Sequence, residues 1–200
     1  LELHEGLHAY THGAMKESLR HIVGVQFRNC ATVGGSIWGR FGFSDVLTMF
    51  LALDTEVELF KGGRVCLWDF VKMPKDRDIL VHIIVKKTPI KTAYLSQRNT
   101  KTDFPVLACC VSMSEDGMKA VYGARPSKAF LLEDEENILK DVQTLSEEEK
   151  KEAYEKFADY AARKVPTSGN MRGSAKYRTL LVKVLTRRAL EAVGGMSDEN

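Results

Sequence analysis

An arginine, an asparagine, a threonine, two adjacent glycines and a serine stand within the stretch Arg28-Asn29-Cys30-Ala31-Thr32-Val33-Gly34-Gly35-Ser36. Glycine lets the backbone turn through positive φ and lets a ligand come close to the chain. Successive N–H groups in such a turn form a concavity that binds anions, and the Thr32 and Ser36 hydroxyls add polar contacts. Asp45 follows in Ser44-Asp45-Val46-Leu47 as an acceptor for hydroxyl groups. Together these suit a ligand with an anionic middle and a hydroxyl-bearing sugar, which is the chemistry of a nucleotide cofactor. The pattern is neither the spaced-glycine dinucleotide fingerprint nor a Walker loop, since no Gly-Lys-Ser/Thr follows. Taken alone, Thr-x-Gly-Gly-Ser is equally a tight turn. Arg28 reads either as a bidentate fork for phosphate or as a structural ion-pair partner. Asn29 reads as holding the turn through side chain–backbone bonds. Asp45 has a second reading as the acid at a helix N-terminus.

The elements around this stretch follow from periodicity. Residues 7–25 read as helical turns leading into a helix, with Ala14, Leu19, Ile22 and Val23 at helical spacing and glycines at 6, 13 and 24 interrupting. Residues 43–53 form a second helix candidate with Val46, Leu47, Phe50 and Leu51 on one side. Strands over 56–59 and 64–67 flank Lys61-Gly62-Gly63 as a hairpin, and a β-prone strand covers 79–85. Three further strands are expected over 92–98, 106–113 and 119–124. Asp116-Gly117 forms the turn between the last two, and residues 130–132 extend the pattern. Ser146 and Glu149 make a capping box, followed by a helix to about residue 164 with the stripe Ala153, Phe157, Tyr160, Ala161. A last helix runs over about 175–193 with Tyr177, Leu181, Val184, Leu185 and Ala192 inward, and Gly194-Gly195 ends it. The tail 196–200 is expected to be disordered.

In this order the motifs resemble one family. The run Phe27–Ser36, then Ser44-Asp45, then Leu51-Ala52-Leu53-Asp54-Thr55-Glu56-Val57-Glu58-Leu59 is similar to the FAD-binding subunit of the molybdenum hydroxylases, which include xanthine, carbon monoxide and nicotinate dehydrogenases. The likeness continues through Asp78-Ile79-Leu80 and Thr102-Asp103-Phe104-Pro105-Val106-Leu107. It ends at Arg172-Gly173-Ser174-Ala175-Lys176-Tyr177-Arg178, which looks like the start of that family's last helix. The resemblance implies an α+β fold. Residues 1–88 would be the second part of a PCMH-type FAD-binding domain with a mixed or antiparallel sheet and helices. Residues 89–195 would be a domain like the C-terminal one of the carbon monoxide dehydrogenase flavoprotein, with a three-stranded antiparallel sheet, helices on one face and a helix bundle.

The family's cofactor would then be FAD. By resemblance, Thr32, Gly34, Gly35 and Ser36 approach its pyrophosphate. Ala31 leaves room for the flavin, Ile22 and Val23 line an apolar wall, and Leu80 adds an apolar contact. Ser44 and Asp45 complete the cofactor-binding set, Asp45 accepting bonds from sugar hydroxyls or from backbone that orders the loop. Many family members carry Asn where Ser36 stands, small residues and a proline where Trp38-Gly39-Arg40-Phe41-Gly42-Phe43 stands, and some a lysine where Leu95 stands. The family's earlier Ala-Gly-Gly-Thr type loop does not precede Arg28, so the chain reads as a C-terminal piece of a longer subunit. The implied partners are a molybdopterin-binding large subunit, a small subunit with 2Fe–2S clusters, and NAD or another electron acceptor.

Composition sets limits without naming a function. The 200 residues carry 44% hydrophobic and 28% charged side chains and a net charge of +2, which does not describe a nucleic-acid surface. No apolar run approaches the ~20 residues of a membrane helix, and no secretory signal opens the sequence. A cytoplasmic setting is the expectation, with Cys30, Cys66, Cys109 and Cys110 as reduced thiols. Cys109 and Cys110, adjacent in an apolar run, face opposite sides of a strand. His4, His8 and His12 recur every four residues, as a metal-binding row on a helix would, although a solvated face is the simpler reading and no metal is expected. No nucleophile–base pair or metalloprotease motif stands out, so no catalytic acid or base is nominated. That silence fits a protein whose cofactor carries the chemistry. Two alternatives stay open: a non-catalytic assembly module that does not bind FAD alone, and a flavoenzyme of the vanillyl-alcohol oxidase type.

Overall fold

The computed structural model describes residues 1–115 and 117–196. The first half opens with five short helices: α1 (Glu5–Tyr10), α2 (Ala14–Arg20), α3 (Val25–Cys30), α4 (Val33–Trp38) and α5 (Asp45–Ala52). Thr32 and Ser44 cap α4 and α5, their hydroxyls accepting the Gly35 and Leu47 N–H groups at 3.0 and 3.1 Å. A three-stranded antiparallel sheet follows, with order β2-β1-β3 from β1 (Thr55–Leu59), β2 (Gly63–Cys66) and β3 (Leu80–Val85). Helix α6 (Leu67–Lys72) lies between β2 and β3. In β1, Thr55, Val57 and Leu59 are buried while Glu56 and Glu58 alternate outward.

The second half is a four-stranded antiparallel sheet, β4 (Ile90–Gln97), β5 (Leu107–Ser114), β6 (Gly117–Gly123) and β7 (Phe130–Glu133), ordered as in the sequence. Two long helices complete it, α7 (Glu147–Lys164) and α8 (Ala175–Gly194), with the Ser146–Glu149 capping box at the start of α7. β5 is buried on both faces from Leu107 to Met113, which is why it reads as a continuous apolar run and not as an alternating one. Leu107, Cys109, Val111 and Met113 join the core of α7 and α8. Ala108 and Cys110 join the core of α2 and α5. Cys110 Sγ lies 3.6 Å from Met49 Sδ on α5.

Four expectations change here. The sheet has four strands where three were expected, because residues 130–133 pair with β6, Phe130 opposite Tyr122. It carries helices on both faces, since the first half supplies the second cover. The inward stripe of α8 is turned by about one residue: Tyr177 is 38% exposed and Ala192 is exposed, while Arg178, Val182, Thr186 and Ala189 are buried. The cause is Arg178, whose guanidinium reaches the carbonyls of Val106 and Ser168 at 2.8 Å each and Asn170 Oδ1 at 2.6 Å. Residues 7–25 form parts of separate short helices, with Gly13 and Gly24 at φ +81 and +64° marking the breaks. Asp116 of the expected Asp-Gly turn and residues 197–200 of the expected disordered tail lie outside the described residues. Met196 is held, its carbonyl accepting from Lys91 Nζ at 2.8 Å.

The halves are joined by a buried ion pair. Arg98, just past β4, places Nη2 2.5 Å from Asp45 Oδ1, with side-chain exposures of 7% and 6%. Tyr94 donates its hydroxyl to the same oxygen. Burial, and then the Asp45 charge, push the Tyr94 phenol well above its ordinary pKa, so it stays a donor. Ser112 donates to the Ala52 carbonyl at 2.6 Å and Thr92 to that of Thr11 at 2.8 Å across the same seam.

Two predictions test this arrangement. Asp45→Ala leaves a buried guanidinium without its counter-charge and should cost about 3–5 kcal/mol. The double variant Asp45→Ala/Arg98→Met should cost less than the sum of the single changes by more than about 1 kcal/mol, read from urea unfolding of the full-length chain. Additive losses would mean that the pair does not hold the seam. Burial pushes the Cys109 thiol up to about 12 and the Cys110 thiol well above its ordinary value. A thiol reagent at neutral pH should therefore label exposed Cys30 and Cys66 in the folded protein, and Cys109 and Cys110 only after denaturation. Mass spectrometry of the labelled peptides distinguishes the two sets.

Candidate functional site

The nucleotide-like stretch takes shape from two short helices. α3 ends at Cys30, and the Ala31 N–H closes it on the Phe27 carbonyl at 2.9 Å. Extended backbone at Ala31 and Thr32 then turns the chain into α4. Gly34 and Gly35 therefore sit in the first turn of a helix, not in a positive-φ bend; positive φ is found nearby at Gly24. The first N–H groups of a helix have no partner within it. Of these, the Gly35 N–H is taken by the Thr32 hydroxyl, while those of Val33 and Gly34 meet no acceptor among the described residues. The far end of α4 is fixed by Ile37, which is fully buried, and by Trp38 against Phe70 with ring centroids 5.7 Å apart.

The glycines leave an open cradle. A Cβ at Gly35 would stand 2.9 Å from Thr32 Oγ1, and one at Gly34 3.9 Å from Leu80 Cδ2 on β3. Leu80 is held there by Asp78, which accepts the Lys61 and Gly62 N–H groups at 2.9 and 2.8 Å and so clamps the β1–β2 turn to the start of β3. The structure thus brings together Ala31, Thr32, Gly34, Gly35, Ser36 and Leu80. Ser36 donates its hydroxyl back to the Thr32 carbonyl at 3.3 Å. Backbone exposed at the first turn of a helix beside an apolar leucine fits a diphosphate joined to a flat ring system, so the residues present fit the flavin nucleotide suggested by the sequence.

Other expected site residues are engaged elsewhere. Ile22 is half-buried against the first-half core and gives its carbonyl to Arg28 Nη1 at 2.8 Å; Val23 is 45% exposed. Arg28 forms a two-point fork with Glu2, 2.8 Å for each bond, which holds the Glu2 carboxyl below the usual carboxylate range. Its structural reading is the one the geometry adopts. Ser44 caps α5. Asp45 is the first residue of that helix, with its Oδ1 given to Arg98 and Tyr94 and turned into the seam. Of its readings from the sequence, the acid at a helix N-terminus is the one this position matches. In the Trp38–Phe43 stretch it is Arg40 that packs, its guanidinium 3.9 Å from the Phe70 ring centroid and donating to the Met73 carbonyl at 2.6 Å, whereas Phe41 and Phe43 are exposed.

The histidines do not form a row, because α1 ends at Tyr10. His4 caps α1 through Nδ1, His8 Nε2 meets the Glu2 carbonyl at 2.7 Å, and His12 Nε2 meets that of Ile90 at 3.1 Å. Among the described residues no cluster of three His, Cys, Asp or Glu is placed to hold a metal. No helix among them is long and apolar enough to cross a membrane. Arg98 was missed from the sequence, and Arg178 stood only as part of the motif that opens the last helix, with no role assigned. Arg98 lies four residues from Tyr94 on the same side of β4, and this spacing is the signal that could have found it.

Known proteins match both halves. A family model for the FAD binding domain in molybdopterin dehydrogenase matches residues 2–88, and one for the CO dehydrogenase flavoprotein C-terminal domain matches residues 92–193. The uncharacterized protein YgfM of Escherichia coli K12 is 32% identical over 124 residues, which cover 62% of this chain and 48% of that protein. The chain thus spans about half the length of the curated relatives that it matches. Among solved structures, reconstituted CO dehydrogenase from Oligotropha carboxidovorans superposes with a TM-score of 0.75 at 20% identity, covering 96% of this chain and 70% of that one. Quinoline 2-oxidoreductase from Pseudomonas putida 86 gives 0.73 at 18% identity, covering 90% and 66%. At these identities the structures speak for the fold alone. With both halves matched in order, the chain belongs to the family of FAD-binding subunits of the molybdenum hydroxylases.

Proposed function

We propose that this chain forms one wall of an FAD site in a molybdenum-containing dehydrogenase or hydroxylase and helps pass electrons between subunits. The observation that carries this reading is the open first turn of α4, where Gly34 and Gly35 present backbone without side chains next to Leu80. When bound, FAD supplies the electron chemistry, accepting electrons singly from iron–sulfur clusters and giving up a pair. The chain's own residues bind and orient. The uncommitted N–H groups of Val33 and Gly34 meet the diphosphate, Thr32 and Ser36 hold the turn in shape, and Ala31 leaves room beside it. Leu80 offers an apolar surface, with Ile22 and Val23 as further wall. Ser44 and Asp45 act through position: they fix the start of α5 and the loop before it.

In this reading residues 1–88 carry the flavin-facing surface and residues 89–195 contact other subunits. The partners are a molybdopterin-binding large subunit and a small subunit with 2Fe–2S clusters, and the final acceptor is NAD or another oxidant. A second reading, an assembly module that does not hold FAD by itself, draws support from Arg28, Ser44 and Asp45, all of which are committed to structural contacts.

Titration of the full-length protein with FAD, followed by flavin fluorescence and calorimetry, separates the two. Saturable binding is expected, and Gly35→Val should weaken it at least about tenfold by filling the cradle, while disturbing the Thr32 cap lowers unfolding stability by no more than about 2 kcal/mol and leaves the protein folded. Asp45→Ala is the poorer probe because it strikes the seam. A folded full-length protein that binds no FAD, or binds it equally well with Gly35→Val, would leave the assembly reading.

A further inference from the structure

At the end of the four-stranded sheet, away from the Thr32–Ser36 turn in its lining, three phenylalanines are exposed together. Phe41, Phe43 and Phe104 are 52%, 41% and 46% exposed. Phe41 stacks on Phe43 with centroids 5.2 Å apart and planes 13° from parallel, and Phe43 meets Phe104 at 4.6 Å and 56°. Contiguous apolar surface of this kind marks a place of interaction. Beside it opens a cleft of about 210 Å³ lined by Gly42, Phe43, Phe104, Ser127, Asn170 and Arg172, among others. That volume is below the range of drug-sized sites and suits one or two fused rings.

The polar groups of the cleft are mainly donors. Arg172 stands 5.2 Å from the Phe104 centroid and gives only its Nε to Asp103, at 3.0 Å; its two terminal nitrogens have no acceptor among the described residues. Asn170 has its Oδ1 occupied by Arg178 Nη2 and the Arg172 N–H at 2.6 and 2.9 Å, which leaves the amide NH₂. Ser127 adds a hydroxyl. Lys75 Nζ, 5.2 Å from the Phe41 centroid, is a second cation beside the phenylalanine cluster. The floor is backbone against backbone. The Ala124 N–H donates to the Gly42 carbonyl at 2.6 Å, and a Cβ at Gly42 would stand 1.8 Å from the Ser127 oxygen, so only glycine permits the contact.

We propose that this cleft binds a small planar aromatic carboxylate, its ring against Phe43 and Phe104 and its carboxylate on the Arg172 fork and the Asn170 amide. Aromatic faces give the ring stacking partners, and a guanidinium already anchored through Nε is pre-organised for a two-point bond to carboxylate. The proposal does not depend on FAD, since the cleft shares no lining residue with the glycine turn.

Calorimetry of the purified full-length protein with 2-naphthoate as the probe tests it. Saturable one-to-one binding is expected, weakened at least about tenfold by Arg172→Gln, by Phe104→Ala and by replacing the probe with uncharged 2-naphthalenemethanol, the size expected for losing a charge-assisted hydrogen bond or a stacking face. Phe43→Leu, which keeps an apolar side chain and removes the ring, serves as a milder variant if Phe104→Ala does not fold. No saturable binding by the wild-type protein, binding that is unchanged in these variants, or displacement of 2-naphthoate by FAD would overturn the proposal.

Discussion

β5 has no face to water, and the rest of the molecule is arranged around that fact. A strand buried on both sides needs two apolar covers. Here α7 and α8 provide one and α2 and α5 the other. The adjacent thiols of Cys109 and Cys110 show the arrangement at the scale of single side chains, one in each core. The covers are not equal. α7 and α8 are long and capped, whereas α2 and α5 are short helices of seven and eight residues. Isolated helices of that length are marginal in water, so their order comes from the sheet that they cover.

The Asp45–Arg98 pair follows from this dependence. An apolar face alone leaves α5 free to slide, while a buried carboxylate with an arginine on one side and a tyrosine hydroxyl on the other admits one register. Fixing the start of α5 fixes the loop from Gly39 to Ser44, and with it the C-terminal end of α4. The glycine turn inherits its position through that chain of contacts. Arg28, Ser44 and Asp45 are thus spent on shaping the turn and its surroundings, and the surface left open at the glycines is mostly backbone.

Much of the fold was legible because local signals agreed with tertiary demands. The hairpin at Lys61-Gly62-Gly63, the capping box at Ser146 and Glu149 and the stripe of α7 all rest on short-range chemistry, and each formed where the residues indicated. The glycine pair was found as well, though as a helix start and not as a bend, because a β-region threonine cap serves both and only the following apolar anchor at Ile37 decides. What was not legible depended on distant partners. Whether Arg28 meets phosphate or Glu2 cannot be read from either residue. The rotation of α8 needed the oxygens that receive Arg178, one at Val106 just before β5 and the others at Ser168, Asn170 and Gly173 in the loop before the helix, and a buried arginine near the start of a helix breaks the rule that apolar residues define the stripe. The second cover of the sheet was hidden because its helices lie far upstream, α5 ending at Ala52 and α2 at Arg20 while β4 begins at Ile90.

The double cover has a consequence for how such a protein can change over time. The two matched families meet between residues 88 and 92, yet no gap in packing lies there. A Cβ at Gly123 on β6 would stand 2.3 Å from Thr48 Oγ1 on α5, so one half has been cut to the outline of the other at the level of a single methyl group. Recombination that exchanges one half between lineages would set helices against a sheet face that they were not shaped for. The two parts match separate family models yet pack as one unit, and substitutions on α5 and on the α5-facing side of β5 and β6 should be accepted in pairs.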